Sequence, residues 1–102
     1  MIIDINPSNQ KHKRFTITMD NGKKYNFGLK NGSTYIDHYD ISKRKNYWSR
    51  HIGNKTEYQL ISNLVPSPSL FSAMILWGPY KTIEQNINHL NQLWLEKHNN
   101  NN

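Results

Sequence analysis

The chain has 102 residues, with thirteen Lys plus Arg against seven Asp plus Glu, for a formal charge of +6 at pH 7. That length provides one small domain with one modest core, and the absence of Cys excludes a disulfide framework, a thiol nucleophile and a thiolate metal site. Hydrophobic residues make up only 35% of the chain, so its three Trp, six Tyr and three Phe must supply much of the buried area.

The N-terminal Met1-Ile2-Ile3-Asp4-Ile5-Asn6-Pro7 has neither the positive start nor the long apolar run of a secretory signal. The first element with a clear pattern is a hairpin. Phe15, Ile17 and Met19 alternate with Thr16 and Thr18, and Tyr25, Phe27 and Leu29 alternate with Lys24, Asn26 and Gly28. A two-residue Asn21-Gly22 turn would pair Ile17 with Asn26 and put the apolar sets on opposite faces. A three-residue Asp20-Asn21-Gly22 loop pairs Ile17 with Tyr25 and Phe15 with Phe27, with Gly22 at the left-handed position. The second register is expected. After a turn at Asn31-Gly32-Ser33, the short β-prone Thr34-Tyr35-Ile36 reads as a third strand or an extended connection.

Asp40 is an N-cap for a helix running to about Ile52 and ended by Gly53-Asn54. Ile41, Lys45, Trp48 and Ile52 fall on one stripe of it, and Lys43, Tyr47 and Arg50 on nearly the opposite one. Trp48 is therefore expected in the core and the Lys-Tyr-Arg row in solvent. Thr56 with Gln59 suggests a capping box for the next helix, whose apolar face is Tyr58, Ile61, Leu64 and Val65, and Pro66 stops it. Ser67-Pro68 opens a helix through Leu70, Phe71, Met74, Ile75 and Trp77 that is apolar on most of its circumference and should be the central buried element. Gly78-Pro79 ends it. Thr82 and Gln85 cap a last amphipathic helix carrying Ile83, Ile87, Leu90 and Trp94. The expected architecture is α+β: an N-terminal antiparallel β-hairpin, with the third strand optional, packed against about four short helices. Residues 1–98 form the single domain, and 99–102 a polar Asn tail.

Charge is uneven along this layout. Residues 1–60 carry eleven Lys/Arg and five Asp/Glu, whereas residues 61–102 balance Lys81 and Lys97 against Glu84 and Glu96. Such a one-sided field attracts polyanions. The densest segment runs from Lys43 to His51 and holds four fixed cations, two aromatics and a histidine. Its Lys43, Arg44, Tyr47, Arg50 and His51 are the candidate nucleic-acid-binding residues, since cations neutralise phosphates and a Tyr stacks on a base or bonds a phosphate. Lys11, Lys13, Arg14, Lys23, Lys24 and Lys30 would extend the patch. Internal pairing of Arg44 or Arg50 with Asp37, Asp40 or Glu57 is the competing use of the same charges.

Asp37, His38, Asp40 and His51 are the His/carboxylate cluster of the chain, but their spacing matches no metal signature. Neither a Gly-x-Ser-x-Gly elbow nor a Gly-rich phosphate loop occurs. Neither a cofactor nor a metal is expected, no catalytic motif is recognisable, and no apolar run approaches the roughly 20 residues of a membrane span.

His38-Tyr39-Asp40, Lys43-Arg44, Tyr47 and Arg50-His51, preceded by Phe27-Gly28 and followed by Ser72, Leu76-Trp77, Thr82-Ile83 and Ile87, resemble a pattern in a family of small uncharacterised proteins of large nucleocytoplasmic (giant) DNA viruses. The resemblance covers about residues 15–90. It marks Phe27, Gly28, His38, Asp40, Ser72, Leu76 and Trp77 as motif positions. The segment around Ser72 departs from the pattern, with Leu70, Phe71, Ala73 and Met74 where more aromatic and Arg character is usual. The resemblance implies a viral protein of the infected host cytoplasm (the viral factory), packaged in the virion. The expected function is non-enzymatic binding of DNA or RNA phosphates through the basic aromatic helix, as a virion core component. The alternatives are a minor capsid or cement-type protein contacting other virion proteins, and a small enzyme using His38 or His51.

Overall fold

The computed structural model describes residues 1–100, with side chains through His98. The fold is α+β. Three antiparallel strands in the order β1 (Ile2–Pro7), β2 (Lys13–Met19) and β3 (Lys24–Leu29) form one sheet. The helices follow: α1 (Tyr35–His38), α2 (Ile41–Ile52), α3 (Lys55–Ser62), α4 (Pro68–Phe71) and α5 (Ile83–Asn100). Helix α4 runs directly into a π-turn over Ser72–Leu76.

The hairpin has the expected register, with Ile17 opposite Tyr25 and Phe15 opposite Phe27. Gly22 closes its loop at φ +85°, and the Met19 N–H donates to the Lys23 carbonyl. Ile17 and Phe27 are fully buried against the helices, and Phe15 and Tyr25 pack beside them. The third strand is not Thr34-Tyr35-Ile36. That segment is the cap and start of α1, and the third strand is Ile2–Pro7. Strand β1 lacks strict alternation because its register shifts between Ile2 and Asp4. The extra residue turns both Ile2 and Ile5 toward the core and leaves Ile3 in solvent. Asn91 of α5 ties this edge strand down, bonding both the N–H and the carbonyl of Ile2.

Asp40 caps α2 by accepting from the Lys43 N–H. Helix α3 starts earlier than expected: Asn54, not Thr56, is its cap and accepts from the Glu57 N–H. Of its expected apolar face, Ile61 is buried and Leu64 half-buried, while Tyr58 and Val65 are exposed. Ser67 caps α4 as expected, and Leu70, Phe71, Ala73, Ile75 and Leu76 at the centre of the molecule are essentially without exposure. Phe71 touches Tyr25, Phe27 and Trp94. Helix α5 buries Leu90 and Trp94 and is capped by Thr82, which exchanges bonds with Gln85. It runs to Asn100, so the first two residues of the expected tail belong to it. Residues 101 and 102 lie outside the described residues.

Asn86 is a fully buried polar side chain with all its near partners satisfied. Its Nδ2 donates to the carbonyls of Ile75 and Tyr80, and its Oδ1 accepts from the Tyr80 N–H. Gly78 packs against this amide so closely that a Cβ there would lie 2.1 Å from the Met74 carbonyl oxygen and 2.7 Å from Asn86. We predict that Asn86→Ala, which deprives the buried Ile75 carbonyl and two part-buried backbone groups of Tyr80 of this partner, lowers unfolding free energy by about 2–3 kcal/mol in urea titrations. Gly78→Ala should be destabilising for steric reasons, whereas Gly22→Asn, in open space at the hairpin tip, should remain near the parent.

Candidate nucleic-acid interface

The inward face of α2 lies about a quarter turn from the expected stripe. Arg44, Tyr47, Trp48 and His51 point into the molecule, whereas Ile41 and Ile52 are 57% and 54% exposed. Tyr47, expected in solvent between Lys43 and Arg50, is only 7% exposed. Its ring is sandwiched between Trp77, at 4.5 Å and an interplanar angle of 7°, and His51, at 3.9 Å and 22°. The solvent side of the helix is Ser42, Asn46 and Ser49. Lys43 and Arg50 flank it on one side, and Ile41, Lys45 and Ile52 on the other.

Arg44 is also withdrawn from the surface patch. Its Nε donates to the carbonyls of Trp77 and Gly78 at 3.1 and 2.9 Å, and the Trp48 indole donates to the Trp77 carbonyl at 2.8 Å. The guanidinium lies over Tyr35 and Trp48. The expected pairing of Arg44 or Arg50 with Asp37, Asp40 or Glu57 is not seen among the described residues: Arg44 is bonded to backbone carbonyls, and Asp37 is paired with Arg14. Trp48 itself is half-buried at the edge of the core.

Arg14 is taken as well. It forms a bidentate pair with Asp37 at 2.7 and 2.8 Å, and the same carboxylate accepts from the Thr34 N–H and hydroxyl. The hydrogen-bonded guanidinium holds the Asp37 carboxyl well below the usual carboxylate range. Asp40 is used as a cap. His38 Nδ1 accepts from the Asp40 N–H, and its Nε2 is buried without a hydrogen bond beside the rings of Tyr35 and Trp77. His51 lies elsewhere, with Nδ1 3.0 Å from the Tyr47 carbonyl and Nε2 3.6 Å from Glu57. The His/carboxylate cluster of the sequence is therefore divided among four separate structural tasks. Among the described residues no group of three or more His, Asp or Glu converges on a metal position, and no helix is long and apolar enough to cross a membrane.

Of the motif residues, Gly28, Tyr47, Arg50, His51, Ser72, Leu76 and Trp77 line a cleft of about 430 Å³ between β3, α2 and the α4–π segment, whereas Phe27, His38, Asp40, Lys43 and Arg44 do not. Buried Tyr47, Leu76 and half-buried Trp77 form its floor; Lys13, Leu29, Ser33 and Arg50 stand nearer its mouth. Gly28, at φ +78°, packs against the floor, where a Cβ would come 3.0 Å from Leu76. Ser69 and Ser72 add hydroxyls. A second groove of about 320 Å³ adjoins the first through shared Leu29 and Gly32, and is lined by Lys11, His12, Lys30 and Asn31. Lys13 and Arg50 thus line the first groove and Lys11 and Lys30 the one beside it, although α2 is far from the other three in sequence. Among the described residues Glu57 is the one carboxylate lining either groove, and it faces His51.

Burial pushes the Tyr47 hydroxyl above its ordinary range; Glu57 adds to the effect and Arg50 opposes it. The group stays protonated at neutral pH and is unsuited to act as a base. Tyr47 is a packing residue of the cleft floor, and the π-turn beneath it belongs to a class of helix irregularity frequent at functional sites.

Residues 3–51 match the family model of a family of unknown function (DUF5754). That span covers the sheet, α1 and most of α2, hence one wall of the cleft, and stops short of Ser72, Leu76 and Trp77. No curated protein and no solved structure matches the chain.

Two outcomes follow from this geometry. Tyr47→Phe should melt within about 1 kcal/mol of the parent, because the ring and not the hydroxyl is packed, whereas Tyr47→Ala should cost about 3–5 kcal/mol. The folded-state pKa of Asp37 is depressed, so its pair with Arg14 stabilises the fold above the ordinary carboxylate pKa of about 4, and that stabilisation is lost as pH falls below it. Thermal melts should therefore show Asp37→Asn below the parent at pH 7, with the gap closing as the pH drops through this range.

Proposed function

We propose that the protein is a non-enzymatic, phosphate-contacting nucleic-acid-binding protein, and that its contact surface is the pair of adjoining grooves with the Lys43–Arg50 flank of α2. One observation carries this reading: cations from β2 (Lys13), the β1–β2 connection (Lys11), the β3–α1 connection (Lys30) and α2 (Arg50) line two adjoining grooves that hold a single carboxylate among the described residues. Counterion release from a polyanion rewards that arrangement. Lys43 lies two helical turns before Arg50 on the same flank and lengthens the track. Arg44 and Tyr47, part of the basic aromatic segment, act in this reading by holding α2 in place and not by touching the ligand. The resemblance of the motif sets the proposed context: a viral protein of the infected cytoplasm, carried in the virion core.

The minor capsid or cement-type alternative draws on a different flank. Ile41 and Ile52 are exposed beside Lys45, a surface better suited to a protein than to phosphates.

Titration of a fluorescent duplex at several salt concentrations tests the proposal. Affinity should fall by roughly 0.9 log unit per log unit of salt for each phosphate neutralised. Lys30→Ala with Arg50→Ala should reduce that slope by about 1.8 while leaving the melting temperature unchanged, because neither side chain is buried. Absence of binding to this duplex and to its single strand alike at 50 mM salt would overturn the nucleic-acid reading in favour of the protein-contact one.

A further inference from the structure

A surface that only tracks phosphates has no use for an apolar concavity. The larger groove has one: its floor is Tyr47, Leu76 and Trp77, and the cations stand toward its mouth. Its volume of about 430 Å³ lies within the range of pockets that enclose small organic groups, roughly 300–1,000 Å³. A duplex keeps its bases stacked inside and presents a convex rim of phosphates. It can lie across such a groove but cannot fill it. An unpaired strand can turn a base out of its own stack; the Tyr47 ring is already stacked on Trp77 and His51, so the cleft rewards the base by burial against apolar walls and not by stacking on that ring.

We infer that the cleft takes one unpaired nucleobase of a single strand, with the adjacent phosphates on Lys13 and Arg50. Ser33, Ser69 and Ser72 offer hydroxyls to the base edge or sugar. The second groove, reached across Leu29 and Gly32, continues the strand toward Lys11 and Lys30. This inference rests on the phosphate-binding reading and adds to it a preference that charge alone would oppose, since a duplex has the higher charge density.

The test compares three ligands of equal length at one salt concentration on the parent protein: a single-stranded oligodeoxynucleotide, its duplex, and an abasic strand that retains every phosphate. Expected is at least tenfold tighter binding of the single strand than of either other ligand. A free nucleoside monophosphate in excess should compete only weakly, as it lacks the flanking phosphates. Ser33→Trp, a bulky substitution at an exposed residue of the cleft mouth, should bring single-strand affinity down to that of the abasic strand measured on the same variant. Equal binding of the single and abasic strands, or of single strand and duplex, overturns base insertion and leaves phosphate contact standing. Strong competition by the monophosphate overturns the strand in favour of a mononucleotide ligand. Binding of none of the three overturns both readings. The ligand comparison needs no variant, so it decides the matter even where Ser33→Trp fails to fold.

Discussion

The arrangement of this small domain depends on one buried amide. Asn86 has no exposure to solvent, and it accepts from and donates to the same backbone turn on both sides of Gly78. A primary amide taken out of water is costly unless its donors and acceptor are matched. Here the matching groups are the Ile75 and Tyr80 carbonyls and the Tyr80 N–H, so the amide fixes the path of the chain from the π-turn to α5. Once that path is set, the Trp77 and Gly78 carbonyls point at α2, and Arg44 and Trp48 dock onto them. Helix α2 is thereby held by polar bonds from the interior as well as by ring stacking, which suits a chain with little aliphatic material.

The same economy shapes the surface. Two of the arginines that sequence offers to a partner are consumed inside: Arg14 by Asp37 and Arg44 by two carbonyls. Arg14 uses its planar fork to meet both carboxylate oxygens, whereas Arg44 shares one Nε–H between two carbonyls and lays its guanidinium over Tyr35 and Trp48. Three of the cations left lining the two grooves are lysines, together with Arg50. Lysines act as mobile point charges and favour tolerant contact over fixed recognition geometry, in keeping with a surface that follows a backbone and does not read sequence.

How much of this was legible depended on whether hydropathy periodicity and burial coincide. In β2, β3 and α5 they do: alternation and i, i+4, i+7 spacing gave the register, the buried Leu90 and Trp94, and the α+β class. In β1 they do not, because the shift after Ile2 breaks the alternation that would have marked a strand. In α2 the isoleucines proved misleading. Ile41 and Ile52 have the higher hydropathy, but the ring of Tyr47 and the Nε of Arg44 find specific partners in Trp77 and Gly78, distant in sequence, and His51 stacks on Tyr47. No local pattern announces them. The cleft was only partly legible: the motif positions Gly28, Tyr47, Arg50, His51, Ser72, Leu76 and Trp77 all line it, whereas His38 and Asp40 support it from behind. Lys13 and Lys30 were noted as extensions of a helix-centred patch, and nothing in their spacing indicated that they would face Arg50 across a groove.

The π-turn at Ser72–Leu76 has a bearing on chain length. A π-turn accommodates one residue more than the α-helical turn it replaces, and the Trp77 N–H reaches back to Ser72 across that surplus. Removing one residue between these two positions would let the same N–H and carbonyl close an ordinary α-turn, with Ser67 still capping one end and Asn86 still clamping the other. A deletion at Ala73 or Met74 therefore spares Leu76 of the cleft floor and the Ile75 carbonyl of the clamp, whereas a deletion between Trp77 and Tyr80 would pull the clamp away from its amide. Single-residue gaps on the two sides of Trp77 would have opposite structural meanings.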